Sequence, residues 1–207
     1  MGDHPGRAAR LLQSIVDRAI QGLPPFSSAR ALAYKYLRDQ RFGSADHRVQ
    51  ALIRRETVKT AFSSAVSNFG GLATLPISIP ASLYLSFGYQ ARLSGAIACL
   101  YGHDLASRKV RTLVGLTLAG ESAVELLKSL GVHYTARILE QGAAQLSEKV
   151  LAEIGATMGV RIMARTGDQA AALLVKSIPV VSAVLCGAID WGYCQGVGRV
   201  SREVFRK

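Results

Sequence analysis

A long gap in charge sets the first limit on how this chain can fold. From Thr60 to Ala91 it reads TAFSSAVSNFGGLATLPISIPASLYLSFGYQA, without one Asp, Glu, Lys or Arg, in a chain that is 19% charged. The apolar character continues past Arg92 to Tyr101. Such a stretch is too apolar for a surface loop, so protein, lipid or both must cover it. Gly70-Gly71, Pro76 and Pro80 interrupt it. Proline lacks the helical donor and pushes the residue before it toward extended backbone. The expectation is a break at Gly70-Gly71, a non-helical TLPISIP corner, and a new helix with Pro80 in its first turn.

That helix would cover residues 80–101, with Leu83, Leu85, Phe87, Leu93, Ile97 and Leu100 among its apolar members. About 22 residues at ~1.5 Å each give roughly 33 Å, enough to cross a bilayer. Gln90 and Arg92 stand in its middle, and a mid-bilayer charge costs about 3 kcal/mol. A buried or half-inserted helix is therefore easier than a spanning one.

A second segment mirrors the first. Pro179 starts a helix after Ser177-Ile178, and from Ser177 to Gly198 the one charge is Asp190. Ala188, Gly192 and Gly196 form a ladder of small residues, and Ala183 and Gly187 form another pair; such faces let helix backbones approach closely. A basic helix, residues 199–207, closes the chain.

The remaining segments read as amphipathic helices. Leu11, Leu12, Ile15, Val16, Ala19, Ile20 and Leu23 share one face of a first helix, ended by Gly22 and the Leu23-Pro24-Pro25 turn. Ser27 or Ser28 caps a second, residues 29–40. A third runs from Ala45 to Asn68, with Val49, Leu52, Ile53, Ala61, Phe62, Ala65 and Val66 as its core stripe. Gly102 suits the left-handed residue that ends the helix at Tyr101, and Asp104 suits the cap of the next. There Arg108, Lys109 and Arg111 face out while Leu105, Val110, Leu113, Val114 and Leu118 face in. Helical patterns continue from Val124 to Lys176, where Gly155 and Gly159 lie four apart and Asp168 caps a short helix. No strand-like alternation of any length occurs. The fold class expected is all-α: a single compact helical bundle with two apolar, proline-initiated central helices. Residues 1–44 form an N-terminal helical extension and residues 45–207 the main helical domain.

Charge narrows the partners. The net charge is +11, and up to Lys59 there are 11 Lys/Arg against five Asp/Glu. More than half the surplus thus precedes the uncharged stretch, where cytoplasmic positive charge collects beside a membrane-facing segment. Phospholipid head groups and nucleic acid both fit a basic protein, but the bases are spread over many helices without a nucleic-acid motif. Three cysteines without a CxxC spacing fit a reducing compartment. The first twenty residues are broken by Gln13, Ser14, Asp17 and Arg18 and are no secretory leader. Gly6 stands where N-myristoylation wants Ser or Thr.

Reactive constellations are scarce. Cys99 and His103 have the spacing of two metal ligands on a helix, but Gly102 ends that helix and no second pair is near. His103-Asp104 could form a catalytic pair, although sequence neighbours do not face each other, and capping explains Asp104 better. Cys186 and Cys194 fall on one side of the last helix. Asp190 stands in a glycine-rich apolar helix next to Trp191; it must pair with a base such as Arg92 or Arg161, protonate, or reach water. Asp190 and Arg92 are the candidate buried polar site. No P-loop, dinucleotide fingerprint, HExxH or GxSxG is present, so no catalytic residue, metal or cofactor is assigned.

Gly71-Leu72 with Thr74-Leu75-Pro76, Ile97-Ala98 leading to Tyr101-Gly102-His103-Asp104, and Ile178-Pro179 before the small-residue helix together resemble the EcsC family of bacterial proteins. The resemblance spans roughly residues 45–205. His103 replaces a usual aromatic, Asp190 stands near a common Asn, and no acidic residue follows Pro80. The resemblance implies an α-helical, often membrane-associated protein without an agreed activity; an ABC transporter as partner is implied by it alone.

Two functional readings follow. One is a non-enzymatic protein held at the cytoplasmic side of the inner membrane, peripherally or partly inserted, on anionic phospholipid or a membrane protein. Its candidate contacts are Arg108, Lys109, Arg111, Arg202, Arg206 and Lys207, with Pro76, Pro80, Tyr101, Gly102, Asp104 and Pro179 as structural landmarks. The other is a soluble helical scaffold whose apolar helices are fully buried. An enzyme working through Asp190 or His103 is a lesser alternative.

Overall fold

A computed structural model of the chain describes residues 4–22, 27–69, 75–118 and 179–206. These form six helices: α1 (His4–Gln21), α2 (Ala29–Leu37), α3 (Ala45–Phe69), α4 (Leu75–Leu100), α5 (Arg108–Thr117) and α6 (Pro179–Phe205). Among the described residues there is no strand, and the helices pack into one all-α bundle around a shared core. The expected Gly70-Gly71 break, the Leu23-Pro24-Pro25 turn, the patterns from Val124 to Lys176 and Lys207 lie outside the described residues.

Local chemistry accounts for most boundaries. In α1, Ile15, Val16, Ala19 and Ile20 are buried, and Gly22 ends the helix at φ +120°. Ser28 caps α2 by accepting from Ala31 N at 3.1 Å. α2 stops at Leu37 instead of Gln40, because Asp39 takes the backbone N–H of Arg41 at 3.1 Å and its guanidinium at 2.6 Å. Such a local side-chain turn competes with a further helical turn. Ser44 opens α3 by accepting from His47 N.

α4 departs from expectation at its start. It begins at Leu75, so TLPISIP is not a corner and Pro80 lies inside the helix. Pro76 falls in the first turn, where a missing N–H costs nothing, and Pro80 removes one helical bond a turn later. The far end is as expected. Gly102 has φ +79°, its N–H reaches Cys99 O at 3.0 Å, and His103 N reaches Ala98 O at 3.0 Å. This bond pair is a Schellman ending, which needs a left-handed residue at Gly102.

Asp104 does not cap α5. It accepts from Ala106 N at 2.9 Å and its carbonyl from Ser107 N, forming a turn that delays the helix to Arg108, after Ser107. α6 is one continuous helix where two segments were expected, and Pro179 does begin it.

Pairings across the core fix the topology. Asp46 at the start of α3 meets Arg202 and Arg206 near the end of α6, and Ile53 meets the Gly198 backbone, so α3 and α6 are antiparallel. Tyr89 and Arg92 meet Glu56, and Tyr101 meets Asp46, so α4 is antiparallel to α3 as well. α4 is the hub and touches all five other described helices. α1 and α2 pack on it, with Ala29 and Ile20 against Gly95. α4 and α6 are the two proline-initiated apolar helices expected at the centre of the bundle. α6 does touch α4, with Phe87 edge-on to Tyr193 at 6.4 Å, but its most extensive neighbour is α3.

One consequence concerns the charge gap. With α3 antiparallel to both α4 and α6, the C-terminal end of α3 and the N-terminal ends of α4 and α6 gather at one end of the bundle. Residues 60–69, 75–91 and 179–189 carry no charge. Among the described residues the bundle is polar along its length, with a charge-free pole opposite a pole holding Asp46, Arg202 and Arg206.

Candidate functional site

Between α3 and α4 a buried carboxylate is saturated with donors. Glu56 is 1% exposed. Its Oε2 accepts from Tyr89 OH at 2.6 Å and Arg92 Nη2 at 2.7 Å, and its Oε1 from Lys59 Nζ at 2.7 Å. Arg92 also reaches Ser27 Oγ at 3.3 Å, and its guanidinium lies 5.1 Å from the centre of the Tyr89 ring. Burial alone would raise the Glu56 pKa, but the bonds from Lys59 and Tyr89 and the charges of Lys59 and Arg92 outweigh it and hold the carboxyl below its ordinary value. Tyr89 is raised by burial and by its bond to Glu56. A carboxylate with both oxygens occupied and a depressed pKa is no general base at neutral pH. This cluster ties α3 to α4 and to the residue before the α2 cap.

The sequence reading pairs Arg92 with Asp190 or leaves Asp190 to Arg161. The structure gives Arg92 to Glu56, Asp190 is half-buried on α6, and Arg161 lies outside the described residues. Glu56, Lys59 and Tyr89 were missed. The available signal was the register of α3: continuing Val49, Leu52 and Ile53 at helical spacing leads to Glu56, Thr57 and Thr60, not to Phe62. Thr57 and Gln90 lie beside the buried Cys194 thiol, which burial makes less acidic.

His103 is engaged. Its Nε2 lies 2.8 Å from Phe205 O, a carbonyl that can only accept, so this nitrogen carries the proton and is no base there. Among the described residues no cluster of His, Cys, Asp and Glu could hold a metal ion.

The predicted basic contacts fall mostly at the charged pole. Arg202 and Arg206 bind Asp46 at 3.3 and 2.9 Å, and Tyr101 donates to the same carboxylate at 2.6 Å. That hydrogen bond first, then Arg202 and Arg206, lowers the Asp46 pKa, while burial and the same bond push Tyr101 up to about 12. Arg111 ties α5 to α1 through Asp17 at 2.9 Å. Arg108 is exposed and Lys109 half-buried at the start of α5.

Nearer the charge-free pole the outer face has another composition. On α3, Arg54, Val58 and Phe62 recur every four residues and are exposed, Phe62 by 71% and Val58 by 58%. Arg55 and Lys59 flank them. On α6, Arg199, Gln195 and Trp191 recur at the same spacing, with Trp191 49% exposed. The antiparallel register sets Arg199 level with Arg54, and Trp191 level with Phe62 to within about one turn. Phe62, expected in the core, is thus the most exposed large apolar side chain among the described residues. Among the described residues Gly192 and Gly196 of the Ala188 ladder make no close helix contact, since a Cβ at either would meet open space. The close approach is at Gly198, where a Cβ would lie 2.8 Å from Ile53 Cγ2.

No protein-family model, curated protein or solved structure matches this chain. The likeness to the EcsC family rests on the motif residues alone. Among the described residues, no helix is long and apolar enough to cross a membrane.

Proposed function

We propose that this is a non-enzymatic protein of the EcsC type that docks its charge-free pole on an anionic phospholipid surface. One observation carries the reading: three uncharged helix ends gather at one pole, beside exposed Arg54, Arg55 and Lys59. Apolar area supplies burial, and each base near an anionic surface adds about 1 kcal/mol, so several act together. The saturated Glu56 and the engaged His103 speak for binding and not for catalysis. On this reading the protein sits on, or partly in, the cytoplasmic face of the inner membrane, alone or beside a membrane protein.

Cell fractionation tests this. The protein should pellet with membranes at low salt, and high salt should release most of it without detergent. Recovery in the high-speed supernatant at low salt would refute the proposal.

A further inference from the structure

The geometry points to one insertion edge: Phe62 and Trp191 enter the boundary between head groups and acyl chains, while Arg54 and Arg199 stand at the phosphates. This rests on the membrane reading above and names the surface that carries it. Each stripe runs from guanidinium to aromatic ring over eight residues, about 12 Å along a helix. Interfacial elements bury their apolar side by ~5–10 Å, which matches such a gradient when the helices enter at a tilt. Two features make the edge more than scattered exposure. The antiparallel register brings both aromatic ends to the same level and both basic ends to another. The aromatic level also borders the charge-free pole, since no charge follows Lys59 on α3 and none precedes Asp190 on α6.

Charge decides the occupant. A second copy packed two-fold on this face would set Arg54, Arg55, Lys59 and Arg199 near their own counterparts, and like charges oppose such an interface. An anionic bilayer complements the same residues. Arginine at phosphate depth with Trp and Phe below it is the order in which interfacial residues partition.

Trp191 is the single tryptophan of the chain, so its fluorescence reads this face directly. Vesicles of phosphatidylglycerol and phosphatidylcholine at low salt should shift its emission to the blue, and brominated acyl chains should quench it. Phe62→Ser, at an exposed position that leaves the circular dichroism spectrum unchanged, should weaken vesicle binding about tenfold. If the protein floats with the vesicles while Trp191 emission and quenching stay unchanged, another surface binds; the inference falls and the membrane reading stands. If it does not float, both fall. A blue shift that grows with protein concentration without vesicles would assign the face to a second copy and overturn the inference.

Discussion

Glu56 shows how one residue holds this bundle. Its carboxylate gathers Lys59 from its own helix and Tyr89 and Arg92 from α4, all within 2.7 Å. Removing one partner of a buried ion pair leaves the other charged and dry, which costs about 3–5 kcal/mol. Arg92→Met and Glu56→Gln should each lower stability by about that amount in urea unfolding, and the double variant should cost clearly less than their sum. The acid response has a definite sign. Glu56 and Asp46 both have folded pKa values below their unfolded ones. Their stabilisation is complete above the ordinary carboxylate range, near 4, and is lost as pH falls through the folded values. The urea midpoint should therefore fall between pH 6 and pH 3, and Asp46→Asn should flatten part of that fall.

The register of Val49, Leu52 and Ile53 puts Glu56 on the inner face of α3, but the local sequence does not show what balances its charge there, because its partners on α4 lie 33 and 36 residues away. The same polar break in the stripe makes Phe62 look like the next core residue, when it is the most exposed large apolar side chain among the described residues.

Among helices, glycine positions separate packing from exposure. Gly198 lets α6 approach α3 at Ile53, and a Cβ there would come within 2.9 Å of two Ile53 atoms close to its backbone. Gly198→Ala should destabilise by about 1–3 kcal/mol, read as a lower melting temperature, and Ile53→Val should relieve part of it. Gly192→Ala meets open space at an exposed position of α6 and should stabilise by about 0.5–1 kcal/mol. The ladder at Ala188, Gly192 and Gly196 was legible as a pattern but not as a contact, since spacing shows which residues share a face and not which face meets a neighbour. Helix ends were clearer where one residue dictates the geometry. Gly102, Ser28 and Pro179 each terminate, cap or start the expected helix. Pro80 did not mark a start, because a helix can begin one turn earlier at the cost of one bond.

The whole molecule turns a linear gap in charge into a pole. The sequence shows residues 60–91 and 179–189 uncharged, but their convergence depends on three helix directions that only long-range pairings fix. Those directions also move the basic contacts. The expected residues Arg202 and Arg206 are held by Asp46 at the opposite end, and Arg54, Arg55 and Lys59 stand closer to the uncharged pole. The all-α class was legible from periodicity alone, whereas the site was not, because it joins residues of α3 and α6 that lie more than 120 positions apart. On the proposed function this pole meets anionic lipid. Flotation of the purified protein with protein-free vesicles tests it most directly: at low salt it should rise with anionic vesicles, rise far less with neutral ones, and come off the anionic ones in high salt. Equal flotation with anionic and neutral vesicles at low salt would show that the pole does not select anionic lipid and would refute the proposal.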